Sequence, residues 1–271
     1  MDPRQTIPRG LPPVLHDELS MLFSDYFVRS IRNDAIYLEM NRVNWDNFQV
    51  RAAERLPLLP PHITPQRLFN TEFAVATRNI LLHWEDGDKG ALISQFLSGL
   101  YATSLFGEVY ERLYARGVFG GQLSDFQAIF RRVWFGEYTW DQMNPDNSPR
   151  TCGFQHVYIG EMRNNIVKGL HHWVRYYILE KSGRLVTQAV LKKHPELHIA
   201  SLEFSVDNCV KPYGTIFFGI PIHFEIMIFF CAFLIGSSRD IHFLIDGSQT
   251  TIVCYDVATR SDRLATAFFK Y

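Results

Sequence analysis

DQMNPDNSPR, residues 141–150, packs two prolines, two asparagines, two aspartates and a serine into ten positions. Such a run has no periodic apolar face, and its prolines withhold backbone donors, so it reads as connector. It divides the 271-residue chain into two kinds of pattern. Upstream the apolar residues recur at helical spacing, and downstream they alternate as in strands. The expectation is an α+β chain: a helical N-terminal lobe over residues 1–145, then a C-terminal region over 146–271 built of antiparallel β-sheets with two packed helices.

Working back from the connector, Ser124 with Gln127 forms a capping-box pattern that opens a helix carrying Ile129, Phe130, Val133 and Trp134. A longer stripe from Leu92 through Phe96, Leu100, Val109 and Leu113 predicts one helix ending at Gly117. Thr64-Pro65 is a helix start, followed by the stripe Phe69, Phe73, Ala76 and Ile80. Leu15, Leu19, Leu22, Tyr26 and Phe27 predict a helix over 14–31.

Working forward, strands are predicted at 154–159, 185–191, 201–206, 215–219, 241–245, 250–257 and 264–271. Asp246-Gly247 is a hairpin signal. Helices are predicted at 171–181 and at 224–235; the second is apolar nearly all round and is therefore expected to be buried.

Composition narrows the function. Hydrophobic residues make up 47% of the chain, enough for a large core, and 27 Lys and Arg against 28 Asp and Glu leave a formal charge of -1. A global basic field for polyanions is excluded, so any nucleic-acid site is local. MDPRQTIPRGLPPVLHDEL at the start lacks the apolar run of an export signal. The apolar stretch at 226–235 is too short to cross a bilayer. These features lead us to expect an intracellular protein with no membrane partner, its residence in nucleus or cytoplasm unmarked by any long basic run; the oligomeric state is left open, with a monomer favoured. Cys152, Cys209, Cys231 and Cys254 form no C-x-x-C pair and are expected as reduced thiols.

Two stretches carry titratable groups among aromatics: GFQHVYIGE, residues 153–161, and GLHHWVRYY, residues 169–177. Read as a strand, the first puts His156 on one face with Phe154 and Tyr158. Read as a helix, the second makes His171 and His172 diverge by about a hundred degrees, so only one of them faces any given site. Two histidines opposite one phosphodiester suit RNA cleavage, one taking the ribose 2′-hydroxyl proton and the other protonating the departing 5′-oxygen, with a lysine or arginine holding the charge on phosphorus. DNA lacks that nucleophile. Packing within the core is the plain alternative for each histidine, and a zinc site from His156, His171 or His172 with Glu161 is another, without H-E-x-x-H or paired cysteines behind it.

GFQHVYIGEM, GLHHWVRYYILEKSG, FSVDNCVKPYGTIFFG and the strand IVCYDV, in that order, resemble the successive blocks of the EndoU family, the poly(U)-specific endoribonucleases. RRVWFGEYTW also resembles the block before the first histidine, and the likeness implies one EndoU-type domain over about 13–271, with 146–271 as its catalytic lobe. By position, the resemblance implies that His156 and His171 are the catalytic histidines, Lys211 the catalytic lysine, and Tyr255 a tyrosine associated with uridine recognition. Glu161 matches the acidic residue that closes the first block and is assigned with Tyr255 to substrate binding. It implies cleavage of single-stranded RNA at uridylates, 2′,3′-cyclic phosphate ends and an influence of manganese. Bottom-up, Lys211 reads as a loop lysine in DNCVKPYG, and Tyr255 as a core residue between Val253 and Val257. Arg163, Lys168, Arg175, Lys192 and Lys193 are candidate phosphate contacts.

The sequence departs from that family pattern at Gln155, where an acidic residue is expected, at His172 in place of asparagine, at Val206 in place of tryptophan, and at Pro221-Ile222-His223 in the run before Phe224-Glu225. Gln155 removes a hard oxygen donor, which bears on manganese. A relative that binds RNA without cleaving it is the alternative of a different class.

Overall fold

Proline at the first helical turn, where its missing N–H costs nothing, opens α1 (Pro13–Ser30), which buries Leu15, Leu19, Leu22, Phe23, Tyr26 and Phe27 along one face. The structure is a computed structural model that describes residues 7–43, 45, 57–139, 149–194, 196–236, 239–258 and 260–271. The helical part continues through α2 (Ala35–Glu39), α3 (Pro65–Leu68), α4 (Glu72–Leu82), α5 (Lys89–Tyr101), α6 (Ser104–Ala115) and α7 (Leu123–Phe135). Asp88 and Thr103 each accept a backbone N–H with the side chain, capping α5 and α6. The stripe expected as one helix from Leu92 is thus two, because Ala102-Thr103 stops the first and caps the second. The capping box of α7 also lies earlier than expected, between Gln122 and Asp125 rather than Ser124 and Gln127.

Most of the 141–150 connector lies outside the described residues. Around it β1 (Tyr138–Thr139) pairs with β2 (Arg150–Thr151). The remaining strands are β3 (Glu161–Arg163), β4 (Ile166–Lys168), β5 (Leu185–Lys193), β6 (Ile199–Val206), β7 (Cys209–Phe217), β8 (Arg239–Ile245), β9 (Ser248–Val257) and β10 (Arg260–Lys270). They form a five-stranded sheet in the order β3-β4-β7-β6-β5 and a three-stranded sheet in the order β10-β9-β8. The expected α+β class holds, with one amendment: β4 and β7 run parallel, joined through Ile166 opposite Val210, so the larger sheet is mixed.

Two helices pack on the sheets, α8 (Trp173–Lys181) and α9 (Ile222–Ile235). As its composition requires, α9 is buried on all sides apart from His223, whose ring is only partly covered. One buried cluster runs from Leu11 to Phe269, so the helical and β-rich parts share a core. None of the described helices is long and apolar enough to cross a membrane.

The expected strand at 154–159 is absent. Gln155–Ile159 is a π-helical turn, closed by Gly160 N–H donating to the Gln155 carbonyl and ended by the positive φ of Gly160. Phe154, Val157, Tyr158 and Ile159 are all buried. Apolar side chains therefore point in every direction, and the apparent alternation in F-Q-H-V-Y-I was not a two-faced pattern.

Candidate active site

The π turn and the segment before α8 are locked to each other through the main chain. Leu170 N–H donates to the His156 carbonyl at 3.0 Å, and His171 N–H donates to the Val157 carbonyl at 2.7 Å. The crossing requires glycine at 169: its φ is +66°, and a Cβ there would fall inside the His156 carbonyl group. Leu170 also takes a positive φ of 59°, an unfavourable conformation for a side chain of its size, immediately before His171. Neither His171 nor His172 is helical. His172 caps α8, which begins at Trp173, two residues later than the expected start at 171.

Lys211 joins the same place from the larger sheet. It lies in β7, not in the loop expected from DNCVKPYG. Two things disguised the strand. The hairpin turn is Asp207-Asn208, both at positive φ. Pro212 then falls in a bulge, where Pro212 and Tyr213 stand opposite Glu203 alone, and β7 beyond Val210 has no partner in β4, so the proline costs no ladder bond. The Lys211 ammonium donates to the Gly169 carbonyl at 2.6 Å. His156, His171 and Lys211 are thereby gathered around one glycine.

The surroundings of His156 come from β2 and β3. Its Nδ1 lies 3.7 Å from Glu161 Oε1. Thr151 donates its hydroxyl to that same oxygen at 2.5 Å, and Arg163 sits 3.0 Å from the other. His171 stacks its ring on Phe268 of β10, with centroids 5.1 Å apart and planes 19° from parallel. Tyr255 pairs with Thr266, two residues from Phe268 on the same face of the smaller sheet. It is 45% exposed, so the core position expected for it is overturned. A register shift in β10 between Leu264 and Thr266 separates Tyr255 from the buried Val257. The site thus lies where the two sheets meet, a junction closed at one end by Tyr213 and Ser201 hydroxyls donating to the Tyr271 carbonyl.

The electrostatics follow from burial. His156 and His171 retain 8% and 7% exposure, and the Nδ1 of each is shut off from solvent. Burial holds His156 below the usual imidazole range, Glu161 pulls it back up, and the Lys211 and Arg163 charges lower it further. His171 is pushed well below that range by burial and then by the Lys211 and His156 charges, with a Thr215 backbone group working against them. Lys211 falls to about 8 through burial and the neighbouring Lys168 charge. Glu161 is pushed up by burial but ends below the usual carboxylate range through its bonds with His156 and Thr151 and the nearby positive charges.

His172 goes elsewhere, as the divergence of the pair requires. It is completely buried, with Nδ1 2.6 Å from Glu225 Oε2. Arg175 is removed from the candidate phosphate contacts, being buried and donating to the carbonyls of Ile159 and Leu81. Arg163 is engaged with Glu161, while Lys168, Lys192 and Lys193 are exposed. Among the described residues no three His, Cys, Asp or Glu side chains group to hold a metal, which also leaves the zinc reading without a donor set. Among the described residues Glu161 is the carboxylate beside His156, with both oxygens engaged, and position 155 offers an amide. This donor set does not fit a resident manganese ion. Thr151, Gly169, Thr215 and Phe268 belong to the site without any signal in the sequence beyond G-L-H after the turn.

A poly(U)-specific endoribonuclease-B of Xenopus laevis is 28% identical over 153 residues, covering 54% of this chain and 51% of its own. A uridylate-specific endoribonuclease C of the same animal is 31% identical over 139 residues, covering 49% and 44%. The chain spans about half the length of the curated relatives it matches. A solved structure described as XendoU, a splicing independent snoRNA processing endoribonuclease, superposes with a TM-score of 0.73 over 93% of this chain and 96% of its own at 22% identity, which shows a shared fold. The family description of endoribonuclease XendoU matches residues 85–269, from the start of α5's approach through both sheets, and the chain belongs to that family.

Proposed function

We propose that this protein is an endoribonuclease that cleaves single-stranded RNA at uridylates by internal attack. The 2′-oxygen bonds to phosphorus while the bond from phosphorus to the 5′-oxygen breaks, leaving a 2′,3′-cyclic phosphate and a free 5′-hydroxyl. His156 and His171 divide the two proton transfers between them, one taking the 2′-hydroxyl proton and the other supplying a proton to the departing oxygen. With each Nδ1 turned inward, Nε2 is the nitrogen left to meet the substrate. Lys211, with its pKa near 8, remains mostly cationic at neutral pH and holds the charge that builds on the phosphoryl oxygens. Tyr255 offers an exposed ring on which a uracil base can stack, and Glu161 orients His156. No step is routed through a metal.

The observation that supports this reading best is the meeting of His156, His171 and Lys211 at Gly169 from three separate elements. The uridylate preference is drawn from the names of the relatives. The test is incubation with a uridine-containing oligoribonucleotide and with its copy carrying a single 2′-deoxyuridine. Cleavage of the first alone, with a cyclic phosphate end and dependent on both histidines, is expected. RNA that is bound but never cut would replace this reading with that of a binding relative.

A further inference from the structure

Lys168 is a charge beside the Gly169 crossing that the proposed cleavage leaves unused. It is the last residue of β4, immediately before the glycine whose carbonyl accepts the Lys211 ammonium. In the antiparallel pairing of β3 with β4 it stands directly opposite Glu161. Side chains of such a pair leave the ribbon on one face, with Cβ atoms about 4.5–5.5 Å apart. Glu161 uses that face to come within 3.7 Å of His156, so Lys168 emerges on the same side as the two histidine-bearing segments.

An exposed lysine opposite a glutamate would ordinarily pair with it. Here the carboxylate is taken, since Thr151 and His156 share one oxygen and Arg163 lies against the other. Lys168 is exposed, and among the described residues its ammonium has neither an ion pair nor a hydrogen bond. Other surface cations have found carboxylates: Lys270 lies 2.7 Å from Asp240, and Arg150 lies 3.1 Å from Glu137. The Lys168 charge is felt instead at Lys211, where it adds to burial in lowering that group. Lys211 itself has only a neutral carbonyl as its hydrogen-bond partner among the described residues. Two ammonium groups therefore stand near each other without a carboxylate to offset them. Like charges so placed repel in the free protein, and an anion carrying charge at two points along its length relieves the repulsion at both. A lysine has three donors, no acceptor and no planar fork, so it selects a phosphate as a point charge and does not read a base.

We propose that Lys168 binds the RNA phosphate next along the strand from the one at Lys211, so that the site holds a strand with at least two phosphates in preference to a dinucleotide with one. Lys168 is thus a positioning residue, which fixes the strand and touches no reacting atom. The proposal rests on the reading of Lys211 as the group that meets the phosphate to be cut.

The first measurement is binding of the full chain to a fluorescent oligouridylate made wholly of 2′-deoxynucleotides, which cannot be cut, over a range of salt concentrations. Each phosphate contact contributes about 0.7 to the slope of log K against log salt on a single strand. Lys168→Gln is expected to lower the slope by about that amount and to weaken binding about three- to tenfold at low salt, while Lys168→Arg keeps most of both. Lys181→Gln removes an equal charge from the far end of α8 and is expected to keep the wild-type slope. The second measurement is kcat/KM for the dinucleotide UpA and for UpA carrying an added phosphate at its 5′ or its 3′ end. One addition is expected to raise kcat/KM about three- to tenfold through KM, and Lys168→Gln to remove most of that gain. The end whose gain is lost shows on which side of the cut the second phosphate lies. A slope and affinity unmoved by Lys168→Gln, or moved equally by Lys181→Gln, overturn the proposal, as does a gain that survives Lys168→Gln at both ends. No cleavage by the wild-type chain, together with a slope lowered by Lys168→Gln alone, sinks the endoribonuclease reading and leaves the phosphate contact standing.

Discussion

Two histidine–glutamate pairs, whose histidines lie sixteen positions apart in the chain, have opposite fates. His172 and Glu225 are wholly buried at 2.6 Å, while His156 and Glu161 keep 10% and 6% side-chain exposure at 3.7 Å, with Thr151 and Arg163 sharing the carboxylate. Among the described residues the inner pair has no third partner: His172 Nε2, Glu225 Oε1 and the nearby Tyr158 hydroxyl are all buried without hydrogen bonds, and burial raises the Glu225 carboxyl. Such a pair fixes position, and breaking it strands a charge. The outer pair is looser, cross-braced and close to the surface. It can exchange a proton without dismantling the core, and the proposed chemistry uses that one.

The sharpest break in the comparison is removal of the outer imidazoles. His156→Ala and His171→Ala are each expected to lower the cleavage rate by about 10³–10⁴-fold in a folded protein, measured in single-turnover assays with uridine-containing RNA. Glu225→Ala should instead cost stability, about 3–5 kcal/mol, seen as a drop in Tm on the order of 10 °C. Unaltered melting would mean that the inner pair is dispensable.

Acid should separate the regions too. His198 and His223 are each held at about 4 by burial. A histidine whose folded pKa lies below its unfolded value near 6.5 contributes stability that is complete above 6.5 and lost as the pH falls toward 4, on the order of 2–3 kcal/mol each. Tm should therefore fall between pH 6.5 and 4 and stay level from 7 to 8, as read by calorimetry.

Smaller still is Glu161→Gln. It removes the group that raises His156, so the kcat/KM profile moves to lower pH and the rate at pH 7 falls about 10–100-fold, with Tm changing little. A profile unmoved by this substitution would cut Glu161 out of the site. Least of all, chelation with EDTA should change the rate less than about twofold, because the donor set around Glu161 is short of what manganese requires.

Much of this was legible in the residues. Heptad-like stripes placed α1 and α7, and Asp246-Gly247 gave its hairpin because glycine accepts positive φ. Asn164-Asn165 and Asp207-Asn208 make the same kind of turn, and Asx residues tolerate that conformation; attention to them would have recovered β3, β4 and the start of β7. The π turn was not recoverable from periodicity, since its side chains serve packing in several directions at once. Nor was Phe268, whose contact with His171 depends on how two sheets meet rather than on anything local.

The bond from Leu170 N–H to the His156 carbonyl has a further consequence. It couples the two segments that carry the proposed catalytic histidines by peptide groups that every L-amino acid possesses, so the aim of the imidazoles is insured against turnover of neighbouring side chains. A change of side chain at 155 therefore leaves this main-chain lock in place.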